Sequence, residues 1–250
     1  MLNYAPTSPA PDPNTVIYFI FMRVGEGSSI EVENGSWAYY WYGHHYQFKG
    51  KRYFTGFVYQ TPDTGFGEGF APAHAGRITI AEATFVAAES GATKPWNFVG
   101  SQPYIGQFGG YDRVNIISDE EPPVTFQSTS GDYFLAIPTS YLAGGGVEVR
   151  TSEIFLRNEN GWRFAGSVMI GADNDAAFVR NSSAKGTTAH FHYSGRLEFI
   201  ENPSCPMPLI KVLKQGTGVD ARGQVKTLNP HGIVEYAFDS ECSEYRQVQR

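Results

Sequence analysis

One pattern in this chain occurs twice and limits what it can fold into. Trp96-Asn97-Phe98-Val99-Gly100-Ser101 is matched by Trp162-Arg163-Phe164-Ala165-Gly166-Ser167. Each is preceded by a Tyr-Phe pair (Tyr53-Phe54, Tyr133-Phe134), by a glutamate (Glu82, Glu153), and by Phe85-Val86 or Phe155-Leu156. The Tyr-Phe pairs lie further apart than the tryptophans do, so the difference in spacing falls in loops, where length changes are tolerated. The fixed points are nearly all aromatic or glycine, as expected of a duplicated scaffold. The period exceeds the roughly 20–50 residues of solenoid and propeller repeats, which points to two β units.

Composition supports that class. Aromatic residues make up 15% of the 250 and charged residues only 18%, below the roughly 25% usual for soluble domains. Such a chain has apolar surface enough to fold. Its 28 glycines and 15 prolines suit the many turns of short strands. The expectation is an all-β fold, an antiparallel meander of hairpins with minor helix at most. A Pro-rich flexible lead covers 1–14, a first β unit 15–111, a linker 112–124, and a second unit with C-terminal closing hairpins 125–250.

Within this frame, residues 16–24 read as the first strand. Val16 to Met22 is the longest apolar run, far short of the ~20 residues of a membrane helix. No basic residue precedes it, and Pro6, Pro9, Pro11 and Pro13 lie upstream, so it is not a signal-peptide core. Tyr46 to Tyr59 forms a hairpin around Lys49-Gly50-Lys51-Arg52, and Asn158-Glu159-Asn160-Gly161 is a turn ahead of Trp162. A further hairpin is expected across Ser194-Gly195. Cys205 and Cys242, the only cysteines, bracket the last strands as a disulfide pair would, closing a loop of about 38 residues worth ~3–4 kcal/mol.

A net charge of −6 without a basic stripe excludes nucleic acid as the main partner. Gly65-Phe66-Gly67-Glu68-Gly69, inside the long loop 61–76, lacks the lysine of a phosphate-binding loop. Trp37, Tyr39 and Trp41 fall on one face of a strand, with Tyr40 and Tyr42 on the other. That stripe is either core packing or a platform for sugar rings, for which Trp37, Tyr39, Trp41, His44 and Phe66 are the ligand-binding candidates. His190 and His192 share one face, a spacing that metal-binding strands use. Asp175 is the third ligand if its loop folds back, and Asp173 completes the set. Asp173-Asn174-Asp175 alternates oxygen donors as calcium loops do, but Phe178 and Ala184 stand where an EF-hand has Gly and Glu. Glu82 and Glu153 form a carboxylate pair only if the fold brings them close.

No signature names a reaction and no cofactor is expected, a calcium ion or transition metal being the alternative. The chain reads as a non-enzymatic exported bacterial protein, extracytoplasmic with no signal peptide in the sequence given. It binds a protein partner or belongs to an envelope assembly. The alternative is a carbohydrate-binding or carbohydrate-active protein using the aromatic stripe. A metal-dependent enzyme resting on His190 and His192 is the third class.

Overall fold

The computed structural model describes residues 9–33, 35–61, 78–109, 115–118, 121–175, 189–203, 205–220, 224–228, 233–241 and 243–248. Among the described residues, the chain is all-β apart from one α-helix and a short 3-10 turn. It divides into two compact units, 1–112 and 113–250. Among the described residues, no helix is long and apolar enough to cross a membrane.

The first unit holds α1 (Pro13–Phe21), β1 (Ser29–Glu33), β2 (Ser36–Phe48), β3 (Lys51–Gln60), β4 (Ile78–Ala87) and β5 (Trp96–Phe108). Its strands form one antiparallel sheet in chain order. The segment read as a first strand is therefore a helix, and the reason lies just before it. A short apolar run fits either state, but Asp12 and Pro13 decide it. The Asp12 side chain accepts hydrogen bonds from the Thr15 N–H and the Thr15 hydroxyl, both at 2.9 Å. Pro13 occupies the first helical turn, where its missing N–H costs nothing. Met22 ends the helix in the left-handed region, its N–H bonded to Tyr18 O at 2.7 Å. Ahead of the helix, Pro9 O accepts a hydrogen bond from Trp96 Nε1 at 2.8 Å.

Helix α1 covers one face of this sheet. Val16 and Ile17 are fully buried against Ala38, Phe54, Val58, Ala83 and Phe85, and Phe19 stacks on Phe98 with centroids 4.1 Å apart. Gly56 lets the helix seat this closely, because a Cβ there would lie 2.5 Å from Val16 Cγ2. Asp12→Ala is expected to cost about 1 kcal/mol, the usual value of a lost N-cap. A urea titration checks this, and an unchanged midpoint would show that packing alone holds α1.

The second unit contains β6 (Ile116–Ile117), β7 (Val124–Gln127), β8 (Tyr133–Ala143), β9 (Val147–Asn158), β10 (Gly161–Asp173), β11 (His192–Ile200), β12 (Leu209–Val219), β13 (Val225–Leu228), β14 (Ile233–Asp239) and β15 (Glu244–Gln247). The sheet order is β15-β14-β12-β11-β10-β9-β8-β6, with β7 paired to β8 and β13 to β12. The span expected to be a linker thus carries β6, hydrogen-bonded to β8. The Asn158–Gly161 turn forms as read, Asn160 N–H donating to Asn158 Oδ1 at 2.9 Å.

No turn occurs at Ser194-Gly195, where β11 runs straight through. Gly195 serves close approach there, since a Cβ would sit 2.7 Å from both Ile170 O and Val212 Cγ1. The sheet curls so that its last strand returns onto its middle. At Gly166 on β10 (φ 123°), an added Cβ would meet Tyr245 N of β15 at 3.0 Å. Phe126 of β7 likewise stacks on Phe199 of β11 at 5.7 Å. The enclosed core includes Phe134, Ile154, Leu156, Val168, Ile210 and Val212.

Candidate functional site

The curl of the second unit leaves part of its inner surface open. A cleft of about 750 Å³ is lined by Val124, Ala136, Pro138, Ile170 and Leu197, with Lys214 beside them. Glu121 and Arg196 also line it, and Arg196 is held by Glu198, Nε to Oε1 at 3.0 Å. Lys214 differs from Arg196. It is half-buried, its ammonium lies 5.2 Å from the Tyr193 ring centroid, and no carboxylate pairs with it among the described residues. Burial holds its pKa below the ordinary lysine value, as desolvation does to a cation without a counter-charge.

A second cluster forms where β10 leaves the sheet and β11 enters it. Asp173 pairs in register with His192, which puts their side chains on the same face. Asp173, Asp175 and His192 each offer a donor atom within 4.8 Å of the others. His190 joins through a 2.7 Å contact between its Nε2 and Asp175 Oδ1, and this bond keeps the Asp175 carboxyl below the usual aspartate range. Asp173 is also gripped by Arg150, Nη2 to Oδ2 at 2.6 Å. Asn174, 1% exposed, fastens the neck. Its amide donates to Ala189 O at 2.9 Å, and its Oδ1 accepts from Phe191 N–H at 2.9 Å. All four residues singled out as metal ligands therefore come together.

The aromatic stripe is arranged differently from its sequence reading. Tyr40 pairs with Val58 and Tyr42 with Phe57, leaving Trp41 as the extra residue of a β-bulge. Simple alternation fails past a bulge, so Tyr42 returns to the face of Tyr39 while Tyr40 packs toward α1. Trp37, Tyr39 and Tyr59 stack on one another at 6.2 and 5.1 Å, and Trp41 tilts against Phe108 at 5.0 Å. The ring faces are thereby largely spent on each other. Only Trp37, 40% exposed, presents much surface. His44 is 8% exposed, stacked between Tyr42 and Tyr46. Burial, with His45 nearby, pushes its pKa down to about 4, so it is a neutral packing group. Phe66 and most of the 61–76 loop lie outside the described residues.

Glu82 and Glu153 are buried in polar networks rather than open to a cleft. In the first unit, Tyr46 Oη, Thr55 Oγ1, Thr84 Oγ1 and Glu82 Oε2 form a chain at 3.2, 2.7 and 2.6 Å. In the second, Glu153 Oε1 accepts from Asn115 Nδ2 (2.6 Å), Thr151 (2.9 Å) and Thr139 (3.2 Å). Its Oε2 accepts from Ser167 at 2.5 Å. Burial pushes the Glu153 carboxyl above the ordinary glutamate range, the four hydrogen bonds opposing it. Cys205 is half-buried at the edge of the second core. Its expected partner Cys242 lies outside the described residues.

Sequence reasoning missed Lys214, Tyr193 and Arg150. The cleft draws on segments from Glu121 to Gln215, so no local pattern announces it. The one usable signal is a lysine directly after the largely apolar Leu209–Leu213 run. No protein-family model, characterised protein or solved structure matches the chain.

Proposed function

We propose that this is a non-catalytic binding protein whose ligand is a small apolar molecule carrying a carboxylate or similar anionic head. The observation that carries the reading is Lys214, a half-buried ammonium with no carboxylate partner among the described residues, beside the aliphatic side chains that line the cleft. Concave, mostly apolar sites with a few oriented polar groups are the usual form of small-molecule sites. An anionic head would supply the counter-charge that the described residues do not give Lys214, and a charge-assisted bond of this kind contributes about 1.5–3 kcal/mol.

Two sequence expectations belong to the same proposal. Export of the protein is one, and cell fractionation tests it. Duplication is the other. Its support is the shared hairpin register, Tyr53 opposite Val86 with Phe57 opposite Glu82, and Tyr133 opposite Arg157 with Ile137 opposite Glu153. Bulges at Val99 and Ala165, at matching places in the Trp-x-Phe-x-Gly-Ser pattern, add to it. The third strands are one residue out of step, since Glu82 faces Gln102 whereas Glu153 faces Ser167.

The test uses a dansylated medium-chain fatty acid and fluorescence titration. Saturable one-to-one binding is expected, weakened about tenfold or more in Lys214→Met, a tenfold loss being about 1.4 kcal/mol. Lys211→Met, whose lysine pairs with Glu235, should bind as the native chain does. Equal affinity in the Lys214 variant, or no saturable binding, would sink the reading.

A further inference from the structure

We propose that Asp173, Asp175 and His192 form a binding site for a divalent transition-metal ion of the zinc class, separate from the cleft, with His190 and Arg150 as its outer supports. The register sets the first two donors, because Asp173 and His192 face each other across the last pair of β10 and β11. Asp175 follows two residues on, and its N–H donates to Asp173 Oδ1 at 3.3 Å. This bond helps turn both carboxylates the same way. Asn174 clamps the neck between them, so the donors sit on a built frame rather than on independent side chains.

The distances fit a shared ion. His192 Nδ1 lies 3.6 Å from Asp175 Oδ2 and 4.0 Å from Asp173 Oδ2. Donors bound at about 2.0–2.2 Å around a tetrahedral zinc stand about 3.3–3.5 Å apart. All three donor atoms lie within 4.8 Å of one another, so side-chain movements of about an ångström would close the set. Neighbouring groups already hold the ligands in place. Asp175 Oδ1 meets His190 Nε2, Arg150 Nη2 bonds to the same Asp173 Oδ2 that faces His192 and would share it with the ion, and the His192 main-chain N–H donates to Thr217 Oγ1 at 3.1 Å. Such outer partners orient ligands and sharpen metal affinity.

The donor set also selects the ion. Calcium and magnesium take oxygen ligands almost exclusively, whereas an imidazole beside carboxylates suits zinc, nickel or copper. With neutral imidazoles the two carboxylates outnumber the Arg150 charge by one, leaving negative charge for the ion to offset. The Asp175 and His192 side chains are 54% and 50% exposed. Three protein donors and an open side leave the fourth position to water.

The experiment is calorimetric titration of the full chain with zinc chloride, repeated with calcium chloride. One zinc per chain is expected, with affinity falling at least tenfold in both Asp175→Asn and His192→Ala, and with no calcium binding at this site. Asp175→Asn alters an exposed side chain outside the sheet, so it reports on the site even if His192→Ala disturbs folding. Lys214→Met should bind zinc normally, which separates this proposal from the cleft. Absence of zinc binding, zinc affinity unchanged in Asp175→Asn, or calcium bound there in preference to zinc would each overturn it.

Discussion

Glu153→Ala is expected to destabilise the second unit by about 3–5 kcal/mol, lowering its melting temperature by roughly 10 °C. The side chain is fully buried and accepts four hydrogen bonds. Thr139 and Thr151 can still bond to each other at 2.8 Å, so their loss is partly made good. Asn115 and Ser167 each lose a short contact, at about 1–3 kcal/mol per unsatisfied buried group, and a cavity is left behind. Differential scanning calorimetry measures the drop. A change below ~1 kcal/mol would mean the network rearranges freely.

The same residue predicts a pH signature. Burial raises the folded-state pKa of Glu153 above its ordinary value of 4.5, so the folded chain keeps this proton to higher pH than the unfolded chain. Its stabilising contribution is fully present below 4.5 and is lost as pH rises through the folded pKa. A carboxyl protonated on Oε2 keeps the Ser167 contact with donor and acceptor exchanged. Glu153→Gln does not titrate there. The stability of the native chain relative to this variant should therefore decline from acid toward neutral pH. A difference in denaturation midpoint independent of pH would contradict the assignment.

The sequence spoke most clearly where a single local rule governs. Asn158–Gly161 and the Lys49-Gly50 turn were legible because positive φ falls on Lys49, Gly50 and Gly161, as tight hairpin turns require. Helix α1 differs from the strand its hydropathy suggests because Asp12-Pro13 supplies an N-cap and a first-turn proline, a short signal that lacks the capping-box glutamate, Thr15 standing in its place. The Trp41 bulge escaped because alternation counts residues and a bulge adds one without changing composition. Gly195 looked like a turn because glycine marks turns and close approach alike. Among the metal candidates, the paired histidines and paired aspartates showed their spacing. Arg150 did not, being placed by strand pairing alone.

Gly216→Ala is the second large effect expected, about 2–4 kcal/mol of destabilisation, and it separates backbone crowding from ordinary glycine replacement. Gly216 has φ 117° and pairs with Tyr193 on one side and Leu228 on the other. A Cβ there would stand 2.3 Å from His192 O and 2.9 Å from Tyr193 Cα. Both obstacles are backbone, which no rotamer change can relieve, so β12 must move away from β11 at the root of the His192 pairing. Gly218, two residues along the same strand, is the control. Its added Cβ would make ordinary contact with Leu228 Cδ2 at 3.4 Å without a positive φ, so Gly218→Ala should stay within about 1 kcal/mol of the native chain. Paired urea titrations compare the two, with amide hydrogen exchange following the His192 and Tyr193 N–H groups. Similar midpoints for both variants would show that the β11–β12 edge yields easily. A fall confined to Gly216→Ala, with faster exchange at those amides, would show that glycine is required there to let two backbones meet.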